Sequence, residues 1–457
     1  MFSFIKKIHF VGIGGSGMSG IAEVLNNLGY KISGSDIQET LLTKMLESQG
    51  IKINIGHSAL NINDDVELVV ISTAISMDNP EVVIAKSKNI PVIPRAEMLA
   101  ELMRLKYSIL IAGTHGKTTT TSMISWLMYK LDFDPTIIIG GKLNNIGTGA
   151  KIGNGKFFVA EADESDGSFL KYNPIVAVLT NIDNDHLDYY GNMDNLENSF
   201  LNFVNKIPFY GFSVSYNDDQ NIRKLIKKTN RKNISYGIEN ESDVMAKNFV
   251  IKDGKNIFDV YKKGNFLGKI VLSMPGKYNI LNALAAITVL LEFNVDFERI
   301  ALAFLDFKGV GRRLEIKGQK ENVLVIDDYG HHPTEMKSVW NSIKNFYEDR
   351  QKIVVFQPHR YSRTKILAEE FAKVLKDMDK VLLLPIYPAG EIDTEKVDLG
   401  FILKFLSEKE KEKIICFQQK KDVEIFLDEK LDTKEKSLIL TLGAGDVYKI
   451  GENYLGI

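Results

Sequence analysis

Short apolar runs alternate with stretches of helical period along most of the chain. Between residue 8 and about residue 93, apolar runs at 8–11, 68–72 and 92–93 and a helical stripe over 21–28 predict a strand–helix repeat. Residues 96–105 predict a helix, and a second unit opens with the apolar run 108–112, a glycine turn and a long helix over 118–129. Further strands are predicted at 136–139, 157–161 and 175–180, then a hairpin over 256–274 turning at Lys263-Gly264-Asn265. A helix follows over 279–293, with Leu and Ala at helical spacing. Beyond Gly309-Val310-Gly311 the alternation resumes, with apolar runs at 323–327, 353–356, 381–384 and 438–442. Strands and helices alternating in this way predict an α/β protein.

The chain has 457 residues, more than one ordinary core holds, which predicts about three domains. Lys106 and the glycines before Arg312-Arg313 mark the boundaries, giving domains 1–105, 106–310 and 311–457. No short repeat or low-complexity segment interrupts them, and the alternating Glu and Lys of 408–413 read as a solvated helix surface. With 44% hydrophobic and 25% charged residues, and no run near the roughly 18 apolar residues of a membrane span, a soluble protein with no membrane partner is expected. The first ten residues run straight into a glycine turn with no signal-peptide pattern, so the expected location is cytoplasmic. A net charge of −2 without a long basic run argues against nucleic acid as partner. The lone cysteine, Cys416, excludes an intrachain disulfide and a thiolate-cluster metal site, and is expected to be a buried structural thiol.

Candidate chemistry sits where strands are predicted to end. Gly113-Thr114-His115-Gly116-Lys117-Thr118, with Thr119 behind it, follows an apolar strand and opens a helix, so backbone N–H groups and the helix dipole face an anion. Lys117 would reach the β- and γ-phosphates of ATP, and Thr118 a magnesium ion. The fuller phosphate-loop pattern has another glycine where this chain has Ile111, and a tight strand-to-helix turn is the plain alternative. Earlier, Gly12-Ile13-Gly14-Gly15-Ser16-Gly17 follows the first strand, with Asp36 at the distance of a ribose-binding acid. Alone it reads as a dinucleotide site or a structural turn; with a second phosphate loop in the chain, it suits a pyrophosphate other than that of ATP. Glu161-Ala162-Asp163-Glu164-Ser165-Asp166 and Asn181-Ile182-Asp183-Asn184-Asp185-His186 end two further strands, a donor set suited to magnesium. In the last third, Asp327-Asp328-Tyr329-Gly330-His331-His332 and His359-Arg360-Tyr361-Ser362-Arg363 bring arginines and histidines together for a small anion such as a carboxylate. Of the seven histidines, only His57 stands clearly apart from these groups.

The order of these motifs resembles one family across nearly the whole chain, the Mur ligases, which build the peptide of bacterial cell-wall precursors. The resemblance rests on Val11 through Ser19, Gly113 through Thr119, Glu161 through Ser165, Asn181 through His186, Asn279 through Asn282, Gly311-Arg312-Arg313, Asp328 through Pro333 and Gln357-Pro358-His359-Arg360. It implies a Rossmann-like N-terminal domain for a UDP-sugar, a central P-loop ATPase-like domain with a mixed sheet, and a C-terminal Rossmann-like domain for an amino acid. It also implies ATP and Mg2+, with UDP-N-acetylmuramate and L-alanine as substrates, an acyl-phosphate intermediate, and a monomer or homodimer. Carried over by residue, Gly14, Gly15, Ser16, Gly17, Met18 and Ser19 would hold the UDP pyrophosphate, Lys117 the transferring phosphoryl group, and Thr118, Glu161 and His186 magnesium. Asn279 and Asn282 would face adenine, and Arg313 the phosphates. Tyr329, His359, Arg360 and Arg363 would gather L-alanine, and Asp328 would help place its amine. Tyr278 stands where the family often has histidine. No lysine occurs between His186 and Lys206, as in the alanine-adding branch and unlike branches with a carbamylated lysine. A dehydrogenase would account for the first glycine loop and a kinase for the second, but neither for both together with the arginine cluster.

Overall fold

The computed structural model describes all residues except 1–4, 73, 142, 185, 186, 253, 254 and 275, with the side chains of 16, 187 and 188 also left aside. It contains three sheets in chain order. The first is wholly parallel, ordered β3-β2-β1-β4-β5, from β1 (Lys7–Val11), β2 (Lys31–Asp36), β3 (Lys52–Ile55), β4 (Leu68–Ile71) and β5 (Val92–Pro94). That order puts the switch point between β1 and β4, where open α/β sheets collect ligands.

The second sheet has ten strands in the order β15-β14-β13-β12-β11-β10-β6-β9-β7-β8. They are β6 (Tyr107–Ala112), β7 (Thr136–Ile138), β8 (Ala150–Lys151), β9 (Phe157–Glu161), β10 (Val176–Leu179), β11 (Phe212–Tyr216), β12 (Asn233–Gly237), β13 (Val244–Lys252), β14 (Lys255–Lys262) and β15 (Asn265–Leu272). Its centre is parallel, with β6 between β9 and β10, while β8 runs antiparallel to β7 and makes the sheet mixed. The central strands read Ser-Ile-Leu-Ile-Ala, Phe-Phe-Val-Ala and Val-Ala-Val-Leu and are buried throughout, as strands covered on both faces must be. Lys263 and Gly264, both at positive φ, close the hairpin between β14 and β15, as expected for a two-residue turn.

The third sheet is ordered β16-β17-β21-β18-β19-β20, from β16 (Glu315–Lys320), β17 (Val323–Asp328), β18 (Gln351–Phe356), β19 (Lys380–Leu383), β20 (Ile414–Cys416) and β21 (Ser437–Leu442). Only β16 runs antiparallel to its neighbour; apolar clusters cover both faces. Cys416 ends the edge strand and is exposed, not buried as the composition suggested. An edge strand has no neighbour to cover its outer side.

By compactness the chain forms two units. One comprises residues 1–249, 258–271 and 280–308; the other 250–257, 272–279 and 309–457. Within the first, a single apolar core joins the helix Ser16–Asn27, through Met18, Ile21, Ala22 and Leu25, to Ile138, Ala150, Phe158 and Phe169 beside the second sheet. Phe169 is wholly buried, with ring centroids 5.3 Å from Phe200 and 5.1 Å from Phe203. Phe169→Ala leaves a ring-sized void and is expected to cost about 3–5 kcal/mol, read as a lowered urea midpoint at unchanged slope.

Candidate active site

The loop after β6 is shaped by its neighbours on the sheet. Gly113 lies at φ +140°, and a side chain there would run into Thr180 Oγ1. Asn181 Oδ1 accepts the His115 N–H at 2.8 Å, while Asn181 Nδ2 and Thr180 Oγ1 donate to the His115 carbonyl at 2.9 and 2.6 Å. Asp183 N–H donates to Thr114 Oγ1 at 2.9 Å, and its carboxylate lies 3.2 Å from His115 Nε2. Thus the segment after β10 fixes the loop, a role its sequence alone does not disclose. The helix Lys117–Lys130 starts at Gly116, and Thr119 lies buried in its first turn.

Lys117 Nζ donates to both oxygens of Glu164 at 2.9 Å, to the Gly113 carbonyl at 2.7 Å and to the Thr114 carbonyl at 3.3 Å. Burial works against the ammonium, but Glu164, Asp163 and Glu161 override it and hold the Lys117 pKa above its ordinary value. Burial pushes the Glu164 carboxyl up as well. Thr118 Oγ1 donates to Glu161 Oε2 at 3.0 Å, and Glu161 Oε1 accepts the Gly140 N–H at 2.8 Å. A hydroxyl and a carboxylate side by side are the hard oxygen donors magnesium prefers. Among the described residues no group of three or more His, Cys, Asp or Glu is arranged around a metal position, and His186 lies outside them. Asn282 Oδ1 accepts from Thr120 Oγ1 at 3.1 Å, beside the loop. Asn279 is buried at the start of the same helix, Lys277–Glu292. Tyr278 packs against the third sheet's core and bonds Ser342 and Asn279, so its ring serves that core.

The glycine loop after β1 closes on Asp36, whose carboxylate accepts the Gly14 N–H at 2.8 Å and so shapes the loop. Ser19 N–H is bonded to the Gly15 carbonyl in the first turn of the helix, and Met18, 1% exposed, packs its side chain in the core. Arg95 was not foreseen. Its Nη1 would stand 2.5 Å from a Cβ at Gly17, so a side chain there would have to displace the guanidinium, which also acts on the Tyr172 hydroxyl. His9 lies apart from the candidate sites along with His57. It is buried in β1 with Nε2 3.2 Å from Glu81, which also accepts from Ser35 Oγ at 2.7 Å and Asn61 Nδ2 at 2.6 Å and is held down to a pKa of about 2. Burial opposes that ionised state, and the donors from His9, Ser35 and Asn61 outweigh it.

In the second unit the two arginines after Gly311 divide their work. Arg312, at φ +60°, donates from Nε to Asp327 at 2.9 Å and from Nη2 to the Gly443 carbonyl at 2.6 Å, with its guanidinium over Tyr329 and Tyr448. Arg313 faces Tyr329 and lies 3.7 Å from Glu335. Asp328 is taken up by backbone donors, Gly330 N–H at 2.7 Å and Leu314 N–H at 2.8 Å, and burial pushes its carboxyl up to about 6. His332 caps the helix Pro333–Phe346, which removes it from the ligand-binding candidates. His359 stacks on Tyr387 at 5.6 Å and 7° and lies 5.6 Å from His331; Arg363 Nη1 is 3.4 Å from His359 Nδ1. Arg360, half exposed at φ +72°, has its backbone N–H on the Tyr387 carbonyl. Tyr329, His331, His359 and Arg363 therefore form one cluster, to which Tyr387 adds a wall the sequence did not reveal, while Glu335 lies 3.6 Å from His331 and the Arg360 guanidinium lies 4.0 Å from Glu391.

Burial pulls the His331 pKa down to about 4, against the opposing Glu335, and that of His359 to about 3, with Arg363 adding to the shift in both. In both, the unfolded chain takes up protons first as pH falls, so stability present above about pH 6.5 is lost progressively toward about pH 4 for His331 and about pH 3 for His359. Asp328, raised, works in the opposite sense. Both imidazoles are expected to stay neutral from about pH 8 to about pH 5; proton NMR of the ring C–H resonances checks this, and a midpoint near 6.5 for either refutes it.

Comparisons with known proteins cover the chain from end to end. Residues 7–107 match the Mur ligase family catalytic domain, 111–290 the Mur ligase middle domain, and 312–445 the Mur ligase glutamate ligase domain. The UDP-N-acetylmuramate–L-alanine ligase of Geotalea uraniireducens strain Rf4 is 49% identical over 99% of this chain and 98% of its own. The crystal structure of a UDP-N-acetylmuramate-alanine ligase from Thermotoga maritima superposes with a TM-score of 0.84 at 29% identity, covering 98% of both chains. A murein peptide ligase from Psychrobacter arcticus 273-4 shares the fold, with a TM-score of 0.74 at 23% identity over 98% of both chains.

Proposed function

This chain belongs to the Mur ligase family, and from that premise we propose that it joins L-alanine to the lactyl carboxylate of UDP-N-acetylmuramate, using ATP. The products are UDP-N-acetylmuramoyl-L-alanine, ADP and phosphate, and the reaction belongs to peptidoglycan precursor synthesis. The full-length likeness to alanine ligases carries this reading. The Lys117 loop and the cluster around His359 agree with it.

A lactyl carboxylate oxygen attacks the γ-phosphorus of ATP and ADP leaves, giving an acyl-phosphate. The amine of L-alanine then attacks the acyl carbon; the C–N bond forms, phosphate leaves and the amine gives up a proton. Phosphoryl transfer needs charge neutralisation and alignment more than a protein nucleophile. Lys117 supplies both, on a loop held by Asn181 and Thr180. Thr118 and Glu161, with His186, would hold magnesium, which neutralises phosphate charge when bound. The loop Gly14 to Ser19 takes the UDP-sugar, and Asn279, Asn282 and Arg313 keep the nucleotide roles the resemblance assigns. Arg360 and Arg363 bind the alanine carboxylate, and His359 and Tyr329 line its site. The enzyme works in the cytoplasm.

Phosphate release should require UDP-N-acetylmuramate and free L-alanine together. Release with a ready-made peptide but not with L-alanine would instead identify a murein peptide ligase, and release with no amine present a kinase. Arg360→Ala removes a charge-assisted carboxylate contact and should raise the alanine KM about tenfold with kcat little changed. Steady-state kinetics in alanine decide this; an unaltered KM excludes Arg360 from the amino-acid site.

A further inference from the structure

Lys117 is already committed. An ammonium has three N–H donors, and four oxygens surround this one: both of Glu164 and two loop carbonyls. The pair is enclosed, with 15% of the lysine side chain and 1% of the glutamate side chain exposed. Glu164 is held in place from behind, where its own carbonyl accepts the Tyr190 hydroxyl at 2.5 Å. Its two oxygens stand equidistant from Nζ, as two oxygens of a phosphoryl group would. If Lys117 is to neutralise nucleotide phosphate, as the proposed function requires, it must first give up this partner.

We propose that Glu164 is the resident counter-ion of the phosphate-loop lysine, a carboxylate that occupies Lys117 until nucleotide phosphate displaces it and thereby sets nucleotide affinity. The inference rests on the proposed function of the loop. Its physical basis is competition: a lysine held by a buried carboxylate is offered to a phosphate only at the cost of that ion pair. In return, the ammonium is never left buried without a partner, and the loop keeps its shape between turnovers. Glu164 acts through Lys117 and is a positioning residue.

The test is calorimetric titration of the full-length protein with ADP, with and without magnesium chloride. Glu164→Gln keeps the shape and removes the charge, so ADP should bind roughly tenfold more tightly, the scale of one charge-assisted hydrogen bond. Glu164→Asp, which keeps the charge but shortens its reach, should also tighten binding and serves if the glutamine variant fails to fold. Asp163→Asn removes a neighbouring charge that is not bonded to the ammonium. If it tightens binding as much as Glu164→Gln does, the effect is general electrostatics and the proposal is wrong. Weaker or unchanged binding by both Glu164 variants also overturns it. Lys117→Ala separates the two levels. Loss of ADP affinity in that variant supports the phosphate-loop reading even if the Glu164 variants fail, whereas undiminished affinity overturns that reading itself.

Discussion

The constraint on which the candidate active site depends is the parallel pairing of β6 with β9 on one side and β10 on the other. Ile111 pairs with Glu161 and Ala112 with Leu179, so three strands end at one level. The phosphate loop leaves the middle strand with a carboxylate on its left and Thr180 to Asp183 on its right. The hydrogen bonds that shape the loop follow from this register. A slip of one residue would turn Glu161 to the other face of the sheet and take Asn181 away from His115.

The C-terminal cluster is built on a different principle. Arg312, Leu314 and Arg360 all hold positive φ without being glycine, a conformation that persists only where surroundings over-determine it. Here the surroundings are visible: Asp328 accepts the Leu314 N–H, Asp327 anchors the Arg312 guanidinium, and Tyr387 holds the Arg360 backbone. Buried carboxylates at the end of β17 thus shape the turn that presents Arg313. Chemistry at the first site comes from strand register and at the second from pinned turns.

The sequence made the long buried strands legible, because β6, β9, β17 and β21 are each dominated by consecutive apolar residues. It hid β2, whose Lys-Ile-Ser-Gly-Ser-Asp is polar at alternate positions yet largely buried, since Ser33 and Ser35 find partners in His9 and Glu81. The motifs announced Lys117, Glu161, Arg360 and Arg363. They did not announce Arg95 or Tyr387, and they marked Asn181 without its role in holding the loop, because such roles arise only when distant segments meet. His9 illustrates the same limit: one-dimensional spacing cannot reveal that its partner Glu81 lies 72 residues away. Cys416 was misjudged because residue type predicts average burial, whereas an edge strand decides the particular case.

That exposed thiol makes the protein its own site-specific labelling vehicle. With one cysteine in 457 residues, a maleimide dye or spin label attaches once per chain, at the rim of the third sheet, with no engineered background. Partial burial raises the thiol pKa, so coupling is favoured at mildly alkaline pH, where more thiolate is present. A reporter seated there marks one defined point on the C-terminal unit without any substitution in the chain.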